Sequence, residues 1–277
     1  MLIITLSSIP PRFPELGATL QCLLRQSAKA DRILLHIPYR YRRFPEWDGV
    51  LPEVPDGVEI VRVEEDLGPA TKILPAAKVF RDTDCDLLFC DDDRAYPPGW
   101  AARFLRNRRR HPDAVIAFRG MQVSTLVEND GPRVFRPRAI RRWRVTDLRF
   151  QAKYLWRQIR AGRNWRDVPE PNRLVYMTSG YIDLFEGCAG VLAKPAFFDD
   201  SFAEIPPVLW SVDDIWLSGM LTRKGVPIWL DCRVPTPPNT TAQAFDPLAG
   251  SVINGADRHA ANQAAIRYMQ KTYGIWP

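Results

Sequence analysis

Little in this sequence invites a short description by motif. The five cysteines (Cys22, Cys85, Cys90, Cys188 and Cys232) are scattered, and no two stand as C-x-x-C. Neither a zinc site nor a disulfide framework is indicated. Cys22 and Cys90 lie in apolar surroundings and read as small buried residues. No apolar run approaches the ~20 residues needed to cross a bilayer. The opening "MLIITLSSIPPRF" has no basic lead-in and too short an apolar stretch for a secretory signal, so it reads as a first strand and the expected compartment is the cytoplasm. There is no Walker phosphate loop, no G-x-G-x-x-G, no G-x-S-x-G and no H-E-x-x-H. Internal repeats, low-complexity tracts and Gly/Ser linkers are also missing.

What is present is an ordinary globular composition with an uneven charge. Apolar residues make up 46% and charged residues 25% of 277, a length at which roughly 75% of the extended-chain surface can be buried. Between Arg133 and Arg173 stand twelve Arg and one Lys against Asp147, Asp167 and Glu170. That is a net of +10 in a chain whose total is +6, so the remainder carries −4. A basic inserted element over 133–173 is the expectation.

Strand and helix signals alternate through residues 1–120. "LIITLS", "DRILLHIP", "VEIVRVEE", "CDLLFC" and "AVIAF" read as strands. "PELGATLQCLLRQ", "TKILPAAKVF" (with Pro75 as a kink or an early-turn residue) and "GWAARFLRNRRR" read as helices, the last with Trp100, Phe104 and Leu105 inward. This rhythm predicts a mixed, mostly parallel α/β sheet flanked by helices, of Rossmann-like type. Within the basic element, "DLRFQAKYLWRQIRAG" predicts a helix with Leu148, Ala152, Leu155 and Ile159 on one face, ended by Gly162. Beyond it, "SVDDIWLSGMLTRKG" predicts an amphipathic helix, "VPIWL" a last strand and "ADRHAANQAAIRYMQKTYG" a C-terminal helix. One domain, 1–277, is expected: a 1–120 half, the insert, and a 174–277 half.

Three stretches carry candidate chemistry. "CDDDRAYPPGW" puts Asp91, Asp92 and Asp93 where a buried strand emerges, the end at which open parallel sheets collect ligands. Unpaired like charges there are costly. Mg²⁺ or Mn²⁺ would remove that cost, since both suit one or two carboxylates plus phosphate oxygens. Alternation puts Asp91 and Asp93 on one side and leaves Asp92 for another partner, such as a nearby Arg. The competing reading is a solvated acidic turn ahead of the helix near Pro98. In "EEDLGPATKILPA", Thr71 and Lys72 at a helix start would favour phosphate, and Asp66 could bond a base or ribose; a plain turn with an N-cap is the alternative. In "WSVDDIWLSG", Asp213 and Asp214 either stabilise a helix dipole or include a general base. Trp210 and Trp216 are candidates to stack on a sugar, with Trp216 equally placed for a core role.

Taken together, "TLSSIPPRF", "DRILLHIPYRYRR", "DLGPATKILPA", "CDDDRAYPPGW", "FEGCAGVLAKPAFF" and "SVDDIWLSGMLTRKG" resemble the GT-A glycosyltransferases, in a family-2-like branch, over roughly residues 2–230. The resemblance implies a nucleotide-sugar donor over the first half of the sheet. Asp91 and Asp93 match the family's metal and diphosphate motif, with Asp93 the direct ligand. Asp214 matches the second acid of the base motif, although Asp213 stands where many relatives carry Glu. Ser7 and Asp66 fall at the nucleotide contacts, and Glu186 and Gly187 at the floor of the acceptor site. His259 lies where some members take a further metal ligand, although a surface His on a helix explains it as well. The implied reaction is metal-dependent transfer to a glycan or lipid-linked hydroxyl, with inversion.

The basic element, with Trp143, Tyr154, Trp156 and Trp165 among its arginines, is either a solvated surface or a platform for an anionic acceptor or the inner membrane face. Nucleic acid is the weaker partner, since no such motif is present. A phosphohydrolase is disfavoured, because the acids follow a fourth strand and Arg94-Ala95 do not fit. A nucleotidyltransferase and a non-catalytic polyanion binder on the same fold remain as alternatives.

Overall fold

Strand β1 (Leu2–Ser7) shows how the core is divided. Leu2, Ile4 and Leu6 enter one apolar cluster and Ile3 enters another, as the two-residue period of a strand buried on both faces requires. The computed structural model describes residues 1–128, 131, 134–171, 173–246 and 258–277, without the side chains of residues 163, 165 and 167. Arg133 and the Trp165 side chain therefore lie outside the described residues.

The predicted strands form where expected: β2 (Arg32–Pro38), β3 (Glu59–Val63), β4 (Asp86–Phe89) and β5 (Val115–Ala117). They are followed by β6 (Gly120–Met121), β7 (Gly180–Ile182), β8 (Leu184–Phe185), β9 (Val191–Ala193) and β10 (Ile228–Leu230). Eight of them make one sheet in the order β3-β2-β1-β4-β9-β5-β10-β7, while β6 and β8 pair separately. Parallel pairs join β3 to β2, β2 to β1, β1 to β4 and β5 to β10. Strand β9 runs antiparallel to both of its neighbours, with Leu192 opposite Leu88 of β4 and Ile116 of β5. Strand β7 runs antiparallel to β10. The result is a mixed α/β sheet, mostly parallel and Rossmann-like. The 1–120 and 174–277 halves are not side by side, because β9 lies inside the first half's strands.

Helices α1 (Leu16–Leu24) and α3 (Trp100–Arg108) cover one face. Helices α2 (Leu74–Val79), α5 (Asp213–Arg223) and α6 (Arg258–Tyr273) cover the other. The sequence expectation needs correction in three places. Helix α2 starts at Leu74, after a 3-10 turn over Gly68–Lys72, so Thr71 and Lys72 precede it and Pro75 sits in its first turn, where a missing N–H costs nothing. In α3, Leu105 is only partly buried while Asn107 and Arg108 are buried; Arg108 Nε donates to Asp86 at 2.7 Å. Helix α5 is not amphipathic: Ile215 to Leu221 are all buried, because the helix lies between the sheet and α6.

Helix α4 (Leu148–Ala161) forms as predicted. Asp147 caps it by accepting from the Phe150 N–H at 3.2 Å, and the chain leaves the helix at Gly162.

Candidate functional site

In this sheet the strand order reverses between β1 and β4. Ligands of open α/β sheets bind in the crevice outside the carboxyl ends of the strands at such a switch point. A cavity of about 780 Å³ opens there, lined by the ends of both strands, the 66–72 loop, the start of α5 and the 236–239 loop.

Asp92 faces inward and is almost fully buried. Its carboxylate accepts from Ser8 Oγ and from Arg12 Nη1, the latter at 2.6 Å. Its carbonyl accepts from Thr19 Oγ1 at 2.8 Å. Asp92 thus anchors the loop, and the partner Arg expected for it is Arg12. Asp91 is fixed through its backbone by the buried Tyr96, whose hydroxyl donates to the Asp91 carbonyl at 3.1 Å, and its side chain stays about 30% exposed toward the cavity. Burial opposes its ionisation, but Lys72, Arg94 and Arg12 hold its carboxyl below the usual range.

Asp93 differs from both. Its Oδ2 lies 3.3 Å from Arg12 and its Oδ1 lies 3.3 Å from Arg94 Nε. That Oδ1 is buried and accepts no hydrogen bond. Burial, with Asp91 and Asp92 adding repulsion, pushes the Asp93 carboxyl up to about 6 against the pull of the two arginines.

Lys72 sits where the expected phosphate contact gives way to a protein contact. Its Nζ lies 2.9 Å from Asp91 Oδ1 and 3.0 Å from Asp213 Oδ2. The ammonium is buried, yet Asp213, Asp91 and Asp214 overcome the cost of burial and hold its pKa well above the ordinary value. Lys72 therefore ties the end of β4 to the first turn of α5. Asp214, next to it, is partly exposed. Its Oδ1 accepts from the Gly187 N–H at 3.0 Å, and burial with the adjacent Asp213 raises its pKa well above the ordinary carboxylate range. Asp214 therefore holds a proton more tightly than an ordinary carboxylate does. A Cβ at 187 would lie 2.8 Å from Lys72 Nζ and 3.1 Å from Asp214 Oδ1, so a larger residue there would have to displace the Lys72 ammonium.

The remaining predicted residues fall around the rim. Ser7 lines the cavity. The Asp66 carboxylate accepts from the Gly68 N–H at 2.8 Å and the Arg42 N–H at 2.7 Å, so it shapes the loop wall. Gly68 has φ +59°, and Trp210 leaves no room for a side chain there. Trp210 lines the cavity, with Arg42 over its ring at 5.6 Å. Trp216 is a core residue, wholly buried with its indole donating to the Phe202 carbonyl at 2.8 Å. Glu186 pairs with Arg119, which also donates to Thr236 Oγ1 at 2.9 Å. His259 is exposed and lines a neighbouring cavity of about 380 Å³; it is not brought to Asp91 and Asp93.

Among the described residues, no group of three or more His, Cys, Asp or Glu converges as a ready-made metal cage. The donor set fits a different arrangement. Five carboxylates (Asp91, Asp92, Asp93, Asp213 and Asp214) meet three cations (Arg12, Lys72 and Arg94). The excess of two acids and the unbonded Asp93 oxygen match what one Mg²⁺ or Mn²⁺ takes from a protein that leaves its other positions to phosphate and water. Sequence reasoning passed over Ser8, Arg12 and Arg119. The signal for Arg12 was there, in a lone Arg just after "SSIPP" at a strand end.

No protein-family model matches this chain, and no curated protein matches it.

Proposed function

We propose that this chain is a metal-dependent glycosyltransferase of GT-A type, moving a sugar from a nucleotide-sugar donor to a hydroxyl of a glycan or lipid-linked acceptor with inversion. The observation that carries this reading is the joining, in one cavity at the sheet's switch point, of the Asp91–Asp93 loop to the Asp213–Asp214 turn. Asp91 and Asp93 would hold Mn²⁺ or Mg²⁺. The bound ion supplies charge neutralisation to the leaving diphosphate as a Lewis acid.

The chain's own residues account for the rest. Arg12, Ser8 and Tyr96 hold the acidic loop in place. Lys72 neutralises Asp213 and leaves Asp214 as the acid with proton affinity to spare. Asp214 takes the acceptor's hydroxyl proton as the acceptor oxygen bonds to the anomeric carbon. The sugar–phosphate bond breaks, and its electron pair leaves with the nucleoside diphosphate. Trp210 and the Glu186–Arg119 pair offer an apolar face and fixed charges to the acceptor side.

A thermal-shift series with nucleoside diphosphates and their sugars, with and without Mn²⁺, tests this. Stabilisation is expected only when nucleotide and ion are both present, followed by release of a nucleoside diphosphate on adding acceptor. Release of pyrophosphate would instead identify a nucleotidyltransferase. Stabilisation by heparin alone, with no nucleotide effect, would identify a polyanion binder.

A further inference from the structure

Helix α4 is built the wrong way round for a helix that packs on a protein. Its inward-facing positions are Phe150, Gln151, Tyr154, Gln158 and Ala161, and only Phe150 among them is buried. The Phe150 ring is held by the guanidinium groups of Arg144 and Arg173, at 5.5 and 5.7 Å. The apolar stripe anticipated from the sequence points the other way: Leu148 is 80% exposed, Leu155 58% and Ile159 68%, Ala152 is exposed, and Trp156 beside the stripe is 58% exposed. With 3.6 residues per turn, the four stripe residues share one outward face. Arg149, Lys153, Arg157 and Arg160 occupy the adjoining strip, all exposed. Arg160 lies over the Trp156 ring at 4.6 Å. Just before the helix, Trp143 is 76% and Val145 80% exposed.

We propose that α4 is an in-plane anchor that seats this protein on an anionic lipid surface. An outward apolar stripe flanked by cations and an interfacial Trp is the pattern of a helix lying at the headgroup boundary. No helix among the described residues is long and apolar enough to cross a membrane, so attachment would be to one surface. The chemistry favours lipid over a second copy of the chain. Two stripes packed face to face would bring two rows of like charge together, whereas an anionic bilayer supplies the opposite charge. No residue of α4 lines the cavity, so the inference stands whether or not the transfer reading does.

Co-sedimentation of the full chain with vesicles tests it. Binding is expected to vesicles containing phosphatidylglycerol and to be lost in high salt, with little binding to phosphatidylcholine alone. Each basic residue near such a surface is worth about fivefold in partition. Arg149→Gln/Lys153→Gln/Arg160→Gln should therefore weaken binding on the order of 100-fold. Leu155→Ser/Ile159→Ser should weaken it at least about tenfold. All five positions are exposed, so the melting temperature should be unchanged, which separates lost anchoring from lost fold. Equal binding to both vesicle types, or to neither, overturns the proposal. So does a dimer in sedimentation velocity that Leu155→Ser/Ile159→Ser abolishes while vesicles leave wild type in the supernatant.

Discussion

Replacing Lys72 with Met removes the one cation between Asp91 and Asp213 while nearly preserving the shape of the side chain. Two ion pairs near 3 Å are lost. The loss is unequal, because Asp91 is about 30% exposed and can recover water, whereas Asp213 is about 6% exposed and cannot. The penalty is therefore that of one buried carboxylate stripped of its partner, ~3–5 kcal/mol. In a chain of this size that corresponds to a fall in melting temperature on the order of 10 °C. Urea unfolding and calorimetry at about pH 7 would measure it. The decisive comparison is a double-mutant cycle. Lys72→Met/Asp213→Asn removes both charges and should regain most of the loss, with a coupling of at least ~2 kcal/mol. If Lys72→Met stays within ~0.5 kcal/mol of wild type, or the two changes simply add, the bridge does not hold the site together.

Asp214→Asn should retain donor affinity, measured by calorimetric titration, and lose transfer by two or more orders of magnitude; a collapse in donor affinity with turnover surviving would assign the base elsewhere. Asp93→Ala should remove the response to Mn²⁺, and full turnover of the wild type in EDTA would refute the metal assignment. Gly187→Ala should cost ~1–3 kcal/mol, because its Cβ meets an ammonium already pinned by two carboxylates; an unchanged unfolding midpoint would show that Lys72 has another place to go. His36, buried in β2 with Nδ1 3.0 Å from Thr5 Oγ1, is lowered by burial from 6.5 to about 4. The unfolded chain binds this proton first, so stability present above pH 6.5 should fall by ~3 kcal/mol as pH drops toward 4. His36→Gln should flatten that slope, and equal slopes in both proteins would remove His36 as the cause.

The fold was legible where side-chain period settles the answer. The near-continuous apolar runs in "LIITLS" and "DRILLHIP" read as strands, and both are buried on both faces; the acids at the end of β4 announced the crevice. The orientation of α4 was not legible, because a stripe at helical spacing looks the same whether it meets a core or solvent. Nor was the place of β9 in the sheet, since three apolar residues name no neighbour. In the site, Asp92's separate partner followed from strand alternation, but its identity as Arg12 needed the fold to bring together residues 80 positions apart. Lys72 as a bridge was hidden for the same reason: its charge suggested phosphate until two carboxylates from distant segments enclosed it.

The position of β9 has a consequence for how the chain acquires its shape. Strands β1 to β4 can pair as each emerges, since every contact among them lies within the first ninety residues. The inner edges of β4 and β5 then wait for Val191–Ala193. Until that segment leaves the ribosome, two strand edges at the centre of the molecule stay open to foreign pairing. Truncations ending before residue 191 are thus expected to form aggregates rather than a folded first half. The middle of this sheet closes only after the strands on one side of it have paired, and β10 (Ile228–Leu230) joins β5 and β7 later still; closure through such distant contacts makes for slow folding.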